Sequence, residues 1–342
     1  PLDLRAKCRD YALARVEEQK KDFIRLGVLG NWEDPYLTLR KHVEVAQIGV
    51  FGEMAKKGYI YKGLKTVYWC PHCETALAEA EIEYNDDKSF SIYVKFKSVD
   101  VSGHMPKDAD PEKVFALIWT TTPWTIPCNL AISANENLEY VWVRVGDEYL
   151  LMAKERVDVT MQAGKVTDYE VLPDVMTGKQ LEGMVFMHPF YDRKVPVILG
   201  DHVTLEAGTG LVHTAPDHGQ DDFDVCMKYE AWGLKPLGTV DGSGRYTDKV
   251  PGFEGQFVFD ANVPVIKKLA EQGTLFAKST FRHQYPHCWR CKNPIIYRAT
   301  EQWFASVDGF RQKALDAIDT VKWIPSWGHD RIYNMIHDRG DW

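Results

Sequence analysis

Two CxxC pairs, Cys70/Cys73 and Cys288/Cys291, constrain the fold of this 342-residue chain more than any other feature. Residues 74–287, a stretch of 214, separate the two pairs. Each pair can direct two thiolates to one ion, and together they complete the tetrahedral four-sulfur set that zinc prefers. A structural Zn²⁺ would then clamp the strands that enter and leave the intervening domain, because four thiolates leave no position for water.

Other interpretations of these cysteines stay open. His72 or His287 could replace one thiolate, and the pairs could be unrelated reduced cysteines or a redox dithiol. A redox pair normally begins a helix, whereas Tyr68-Trp69-Cys70 is typical of a strand end. Seven cysteines with no export signal do not suit a secreted disulfide framework, so we expect a reducing, cytoplasmic location.

Hydrophobic periodicity predicts helical ends around a β-rich middle. The predicted helices span residues 2–26, 36–57, 222–232 and 261–272, and the tail from Ala299 is expected to be helical, interrupted by Pro325 and Gly328. The predicted strands span residues 90–96, 114–120, 140–145, 149–153, 195–199 and 210–214, with a hairpin turn at 146–148. Many short strands with few helices predict an α+β fold built on a closed or nearly closed β-barrel.

Candidate chemistry is concentrated in WTTTPWTIP (residues 119–127) and GTGLVHTAPDHGQDD (residues 208–222). The first places four hydroxyls in six residues, Thr120, Thr121, Thr122 and Thr125, which could position water and stabilise an oxyanion. The second brings His213 near a carboxylate, Asp222 or Asp221, suited to holding an ammonium group. Neither contains a nucleophile with a partner base, so attack by positioned water is the economical mechanism.

Purely structural roles are also available to these residues. Threonines at strand ends often satisfy local backbone groups, and an aspartate before a helix often serves as its N-cap. A lone histidine such as His213 is more often a hydrogen-bonded core residue than a catalyst. Trp119 and Trp124 are expected in the core or in a pocket wall.

The two signatures together resemble the editing site of the isoleucyl-tRNA synthetase family of class I synthetases, the connective polypeptide 1 domain. The resemblance runs from CRDYALARVEEQ near the start to the final HDRGDW. Valyl and leucyl relatives carry arginine where this chain has Thr122. The resemblance matches functional positions at Thr122, Asn129, His213 and Asp222. With the neighbouring groups, the expected sites are catalytic Thr121, Thr122, Thr125, His213 and Asp222, and substrate-binding Trp119, Thr122, Trp124, Asn129, His213 and Asp222.

The resemblance also implies a division into domains. Residues 1–65 would be a helical flank from a Rossmann-type catalytic domain, residues 66–299 the editing domain, and residues 300–342 the return segment. The editing domain would have a zinc base at 66–90 and 280–299 and a barrel core at 91–279. Both chain ends suggest a piece of a larger protein, expected to be monomeric with no membrane span.

The implied activity is hydrolysis of valyl-tRNA of the isoleucine type, with isoleucine excluded by size. A hydrophobic pocket that binds isoleucine rejects the smaller valine by only about 1–3 kcal/mol, and isoleucine against valine is the standard illustration of that limit. The chain has neither the HIGH-type nor the KMSKS-type ATP motif, so we expect no amino-acid activation by it alone. Its net charge of −8 keeps a second hypothesis open, a non-catalytic, zinc-stapled module that docks the tRNA 3′ end and depends on the remaining synthetase.

Overall fold

The computed structural model describes residues 2–342, which form two compact units. One unit comprises the residues up to Gly63 together with Gln302–Trp342, and the other is Leu64–Glu301. The helices are α1 Leu2–Arg25, α2 Lys41–Lys56, α3 Val157–Ala163, α4 Gly178–Leu181, α5 Gln220–Lys228, α6 Asn262–Glu271, α7 Arg311–Asp319 and α8 Gly328–His337. The strands are β1 Ile60–Cys70, β2 Thr75–Leu77, β3 Ile82–Asp100, β4 Val114–Thr120, β5 Ala131–Ala134, β6 Glu139–Val145, β7 Glu148–Ala153, β8 Glu170–Thr177, β9 Val185–Met187, β10 Lys194–Leu199, β11 Val212–Thr214, β12 Leu275–Cys288 and β13 Ile296–Ala305.

The first unit contains α1, α2, α7 and α8. Within the described residues, α1 and α8 have no buried side chain, and α2 has only Val43. The two N-terminal helices are confirmed, although the second begins at Lys41 rather than at Tyr36. The prediction of a helical tail from Ala299 was wrong at its start, because the chain continues as β13 to Ala305. Gly328 begins α8 instead of interrupting a helix.

The second unit is built on a closed ring of six strands. Its ladders run in the order β3-β9-β10-β5-β11-β4, and β4 pairs back onto β3 to close the ring. Strand β12 extends β3, while β7, β6 and β8 continue outward from β4. The predicted α+β class and barrel are therefore confirmed. Its main core includes side chains from most of these strands, with Trp142, Phe96 and Phe186 among the largest fully buried ones.

Two strands are far longer than the sequence pattern indicates. Strand β3 extends over 19 residues and β12 over 14, and they pair antiparallel from Ile82↔Cys288 to Val94↔Leu275. The polar run Asn85-Asp86-Asp87-Lys88 hides the first half of β3, since it lacks apolar alternation. Backbone pairing with β12 keeps that half extended, and it brings the second CxxC pair back to the start of the domain.

Candidate functional site

Parallel pairing of β4 and β11 brings the two signatures together. Val212 on β11 lies opposite Trp119 on β4, so both strands end at the same edge of the barrel. The first signature then turns into a 3₁₀-helix, Pro123–Cys128, whose residues are all buried. The second turns into α5. Both signatures therefore supply side chains to one mouth.

A cavity of about 490 Å³ opens at this mouth. Its walls include Trp119, Thr120, Thr121, Thr122, Trp124, Thr125, His213, His218, Asp221 and Asp222 from the two signatures. The opposite wall comes from the base strands and includes Tyr68, His283, Gln284, Tyr285, Ile296 and Tyr297. The lining residues include the two aspartates, and no lysine or arginine is among them.

His213 is held at both ring nitrogens by buried partners. Asn129 Nδ2 lies 3.1 Å from His213 Nδ1 and also donates to the carbonyl oxygen of Ala131 at 2.9 Å, which fixes the orientation of the amide. His213 Nδ1 therefore accepts, and Nε2–H donates to Thr125 Oγ1 at 2.8 Å. Thr125 in turn donates to the carbonyl of Thr122 at 2.8 Å. Burial lowers the pKa of His213 to about 3, so the ring is neutral at physiological pH.

Asp222 lies at the third position of α5, on the cavity wall. Gly219 is the N-cap of this helix, so neither Asp221 nor Asp222 caps it. The Asp222 carboxylate instead accepts the backbone N–H of Ala215 at 2.8 Å. Burial raises the pKa of Asp222 to about 7, because one N–H group only partly offsets its desolvation. A Cβ on Gly219 would lie 2.9 Å from the Asp222 carboxyl carbon, so glycine leaves room for this side chain.

Two of the four threonines use their hydroxyls in hydrogen bonds within the protein, and the other two do not. Thr120 Oγ1 accepts the N–H of Thr122 at 3.1 Å, and Thr125 is committed to the His213 chain. Thr121 and Thr122 are half-buried in the cavity wall, and their hydroxyls make no hydrogen bond within residues 2–342. These two hydroxyls can therefore meet a ligand without breaking an existing contact.

The remaining expected site residues lie in different layers. Trp119 lines the cavity and donates its indole N–H to Ser91 Oγ at 2.8 Å. Trp124 is both core and wall, since it is 2% exposed yet borders the cavity. Asn129 is fully buried behind His213 and is not part of the wall. Any influence of Asn129 on a ligand therefore passes through His213.

The four cysteines of the two CxxC pairs come together at the base of the second unit. Their sulfur atoms all lie within 4.8 Å of one another, and Cys70 Sγ is 3.5 Å from Cys291 Sγ. Tetrahedral zinc with Zn–S bonds of about 2.3 Å requires sulfur separations of about 3.8 Å, which this cluster matches. Cys70 and Cys288 are fully buried, and all four are free thiols. The cluster is compatible with a structural zinc site.

Comparison with known proteins finds relatives that match this chain over its whole length. The family model of class I tRNA synthetases (I, L, M and V) matches residues 2–342. The chain belongs to the class I tRNA synthetases. It is 56% identical over 341 residues to the isoleucine–tRNA ligase of Moorella thermoacetica, and 56% over 343 residues to that of Desulforamulus reducens. Both alignments cover all of this chain and 36% of the relative, so the chain spans about a third of the length of the curated relatives it matches.

Two solved structures also align with this synthetase chain. One is GlLeuRS-CP1, at 17% identity and a TM-score of 0.45, covering 55% of this chain and 98% of that one. The other is the editing domain of the P. knowlesi cytosolic leucyl-tRNA synthetase, at 11% identity and a TM-score of 0.45, covering 56% and 97%. Within residues 2–342 of the synthetase chain, no helix is both long and apolar enough to cross a membrane.

Several wall residues of this class I synthetase chain were not among the expected site residues. His218 belongs to the second signature, where its ring lies between the Tyr297 carbonyl at 3.0 Å and Thr239 Oγ1 at 2.8 Å. His283 and Tyr285 come from β12, whose rings at alternate positions contact one another. Their spacing of two is the sequence signal that would have revealed this shared face.

Proposed function

We propose that this chain is the editing region of an isoleucyl-tRNA synthetase and that its cavity hydrolyses valyl-tRNA of the isoleucine type. One observation carries the proposal: both signatures line one cavity whose charged groups are carboxylates without a lysine or arginine. An amino acid esterified to tRNA has an ammonium group and no free carboxylate. The cavity therefore suits the ester, and it lacks the cation that would bind the carboxylate of a free amino acid.

Asp222 is the proposed ammonium ligand. Its carboxylate is held by Ala215 and faces the cavity from the helix end, while Asp221 is the more exposed of the two. An ammonium beside Asp222 would favour the ionised carboxylate, reversing the effect of burial on its pKa. Binding of the correct group therefore charges the site that recognises it.

The hydrolytic step is proposed to use a positioned water. The water oxygen bonds to the ester carbonyl carbon, the bond to the ribose oxygen breaks, and that oxygen leaves with a proton. Thr121 and Thr122 have the hydroxyls available to hold the water or the developing oxyanion. His213 is neutral, with its Nδ1 lone pair occupied by Asn129, so we assign it to positioning rather than to proton removal. The neighbouring ribose hydroxyl is proposed to relay the proton, accepting one from the water and passing its own to the leaving oxygen.

Selectivity is proposed to be steric. The wall near the hydroxyls includes Trp119 and Trp124, and Trp124 is fixed by its N–H bond to Asn262 Oδ1 at 3.1 Å. Forcing one more methylene against a packed wall costs roughly 1–3 kcal/mol. This site would therefore admit valine and exclude isoleucine.

We further propose that the cysteine cluster holds Zn²⁺ as a structural ion. The cluster's four sulfurs fit its preferred geometry and leave no open ligand position. When bound, the ion cross-links the CxxC turns and supplies no chemistry to the cavity. Residues 66–299 would form the editing domain, flanked by catalytic-domain segments 1–65 and 300–342, and its partners would be the tRNA 3′ end and the remaining synthetase. We expect a monomer in the cytoplasm.

The test is deacylation of valyl-tRNA and isoleucyl-tRNA by this chain, alongside Asp222→Asn. We expect release of valine only, with kcat/KM reduced roughly 10–100-fold in the variant, because a charge-assisted hydrogen bond is lost. Asp224→Asn on the exposed side of the same helix is the matched control and should retain activity. Salt-dependent tRNA binding without valine release would instead support the docking module.

A further inference from the structure

Backbone carbonyl groups of the Pro123–Cys128 3₁₀-helix need hydrogen-bond donors from outside the helix. All six of its residues are buried, and Pro123 and Pro127 have no N–H. Buried carbonyl groups need partners, and a short 3₁₀-helix satisfies few of its own. Side chains from elsewhere in the second unit supply them. Tyr246 donates to the Trp124 carbonyl from one side.

The turn between β9 and β10 supplies the donors on the other side. His188 Nε2–H donates to the Ile126 carbonyl at 2.9 Å, while its Nδ1 accepts the backbone N–H groups of Phe190 and Tyr191. Arg193 Nη1 donates to the carbonyls of Asn129 at 2.7 Å and Pro127 at 3.2 Å. The turn therefore holds the carbonyls of Ile126, Pro127 and Asn129, in the segment that begins as the threonine signature.

We infer that His188 and Arg193 are positioning residues of the editing site. Arg193 acts through Asn129 on His213 and Thr125, and His188 donates to the same Ile126 carbonyl that accepts the backbone N–H of Asn129. The inference rests on the proposed function. Arg193 fixes the main chain of Asn129, and the side chain of the same residue lies 3.1 Å from His213 Nδ1. His213 then donates to Thr125, which bonds to the Thr122 carbonyl. The path connects a turn outside the cavity wall to the threonine backbone within it.

Burying a guanidinium at this position costs desolvation free energy that an apolar side chain would not cost. Arg193 is half-buried, and no carboxylate within residues 2–342 lies at ion-pair distance. Its charge is compensated by the two carbonyls and by the ring of Tyr191, whose centroid is 5.4 Å away. An apolar side chain of similar volume would avoid the desolvation, so the contribution of Arg193 lies in its directed N–H groups.

The turn is itself firmly anchored. The Tyr191 hydroxyl donates to the Pro251 carbonyl at 2.8 Å, and Lys268 Nζ lies 5.7 Å from the Tyr191 ring centroid and 5.1 Å from that of Phe190. Lys268 belongs to α6, the same helix whose Asn262 accepts the N–H of Trp124. Two elements behind the wall thus fix opposite ends of the 3₁₀-helix.

The test compares Arg193→Met with Arg298→Met. Arg298 is also half-buried, donates to one carbonyl, that of Val240, at 3.0 Å, and lies 4.8 Å from the ring centroid of Trp69. We expect Arg193→Met to lower kcat for valyl-tRNA deacylation by roughly 10–100-fold with KM changed less than about threefold, since a displaced catalytic group costs rate more than binding. Arg298→Met should stay within about threefold of the parent chain, and Arg193→Lys should recover part of the loss.

A second measurement separates positioning from general stability. Two-bond ¹H–¹⁵N spectra of histidine-labelled chain should show His213 as the Nε2–H tautomer, with a mixed or altered tautomer signal in Arg193→Met. An unchanged His213 signal, or a kcat loss matched by Arg298→Met, would overturn the inference. If Arg193→Met does not fold, Arg193→Lys serves in the same spectrum. An inactive parent chain would refute the proposed hydrolase, while the spectrum would still decide whether Arg193 positions His213.

Discussion

The cysteine cluster and the cavity lined by the two signatures differ in how many of their polar groups already have a partner. Four identical donors in the cluster lie within 4.8 Å of one another and match one ion. The groups in the cavity differ from one another. Both ring nitrogens of His213 have hydrogen-bond partners, the pKa of Asp222 is raised to about 7, and the Thr121 hydroxyl makes no hydrogen bond within residues 2–342. Donor atoms that all bind one ion stabilise a fold, whereas polar groups without a protein partner remain free to bind a ligand.

Loss of the proposed Zn²⁺ should have the largest effect and should separate the two regions most clearly. Cys288→Ser is expected to abolish stoichiometric zinc and to lower the free energy of unfolding by more than about 3 kcal/mol, because metal binding and folding are coupled. Activity should fall with it, since β12 also lines the cavity. Metal analysis and urea unfolding measure both. Cys8→Ser, at an exposed cysteine, is the control, and equal zinc loss in both variants would break the contrast.

The pH dependence of Asp222 should show the opposite relation between stability and activity. Folding raises the pKa of this carboxyl to about 7, so the folded state favours the protonated form. The stability that this preference contributes is fully present below about pH 4 and is lost as pH rises through about 7. Asp222→Asn should therefore stabilise the fold by about 1–3 kcal/mol at pH 8 and by less at pH 5. Urea unfolding at the two pH values tests this; a variant that is less stable at pH 8 would contradict it.

The same carboxyl should control the activity profile. Deacylation by the parent chain should fall below about pH 7 as Asp222 becomes protonated, and Asp222→Asn should lack that inflection. His213, with a pKa near 3, should contribute no inflection between pH 5 and 8.

The threonines offer the smallest and finest test. Thr125→Val removes the partner of His213 and Thr122, so we expect a loss of about 1–3 kcal/mol in stability. Thr121→Val removes an uncommitted hydroxyl and should leave stability within about 0.5 kcal/mol while slowing deacylation roughly tenfold. Unfolding and deacylation of both variants decide the matter. Equal destabilisation would mean that Thr121 also has a structural partner.

Local spacing carried much of the prediction. The CxxC pairs identified four residues that the structure brings together, because each turn fixes two thiolates without help from distant residues. Strand β4 was predicted with its observed bounds, Val114–Thr120, since its run of apolar residues is short and continuous. The polar first half of β3 and the whole of β12 were missed, because the extended state of each depends on pairing with the other.

By itself, the sequence determined the family, the α+β class, the barrel and the chemical content of both signatures. The tertiary structure alone decided which groups are free to act. Parallel pairing of β4 with β11 placed the signatures side by side, and burial left His213 neutral and Asn129 behind the wall. The physical reason is that residue type and local spacing are written along the chain, whereas desolvation and hydrogen-bond partners arise from segments far apart in sequence.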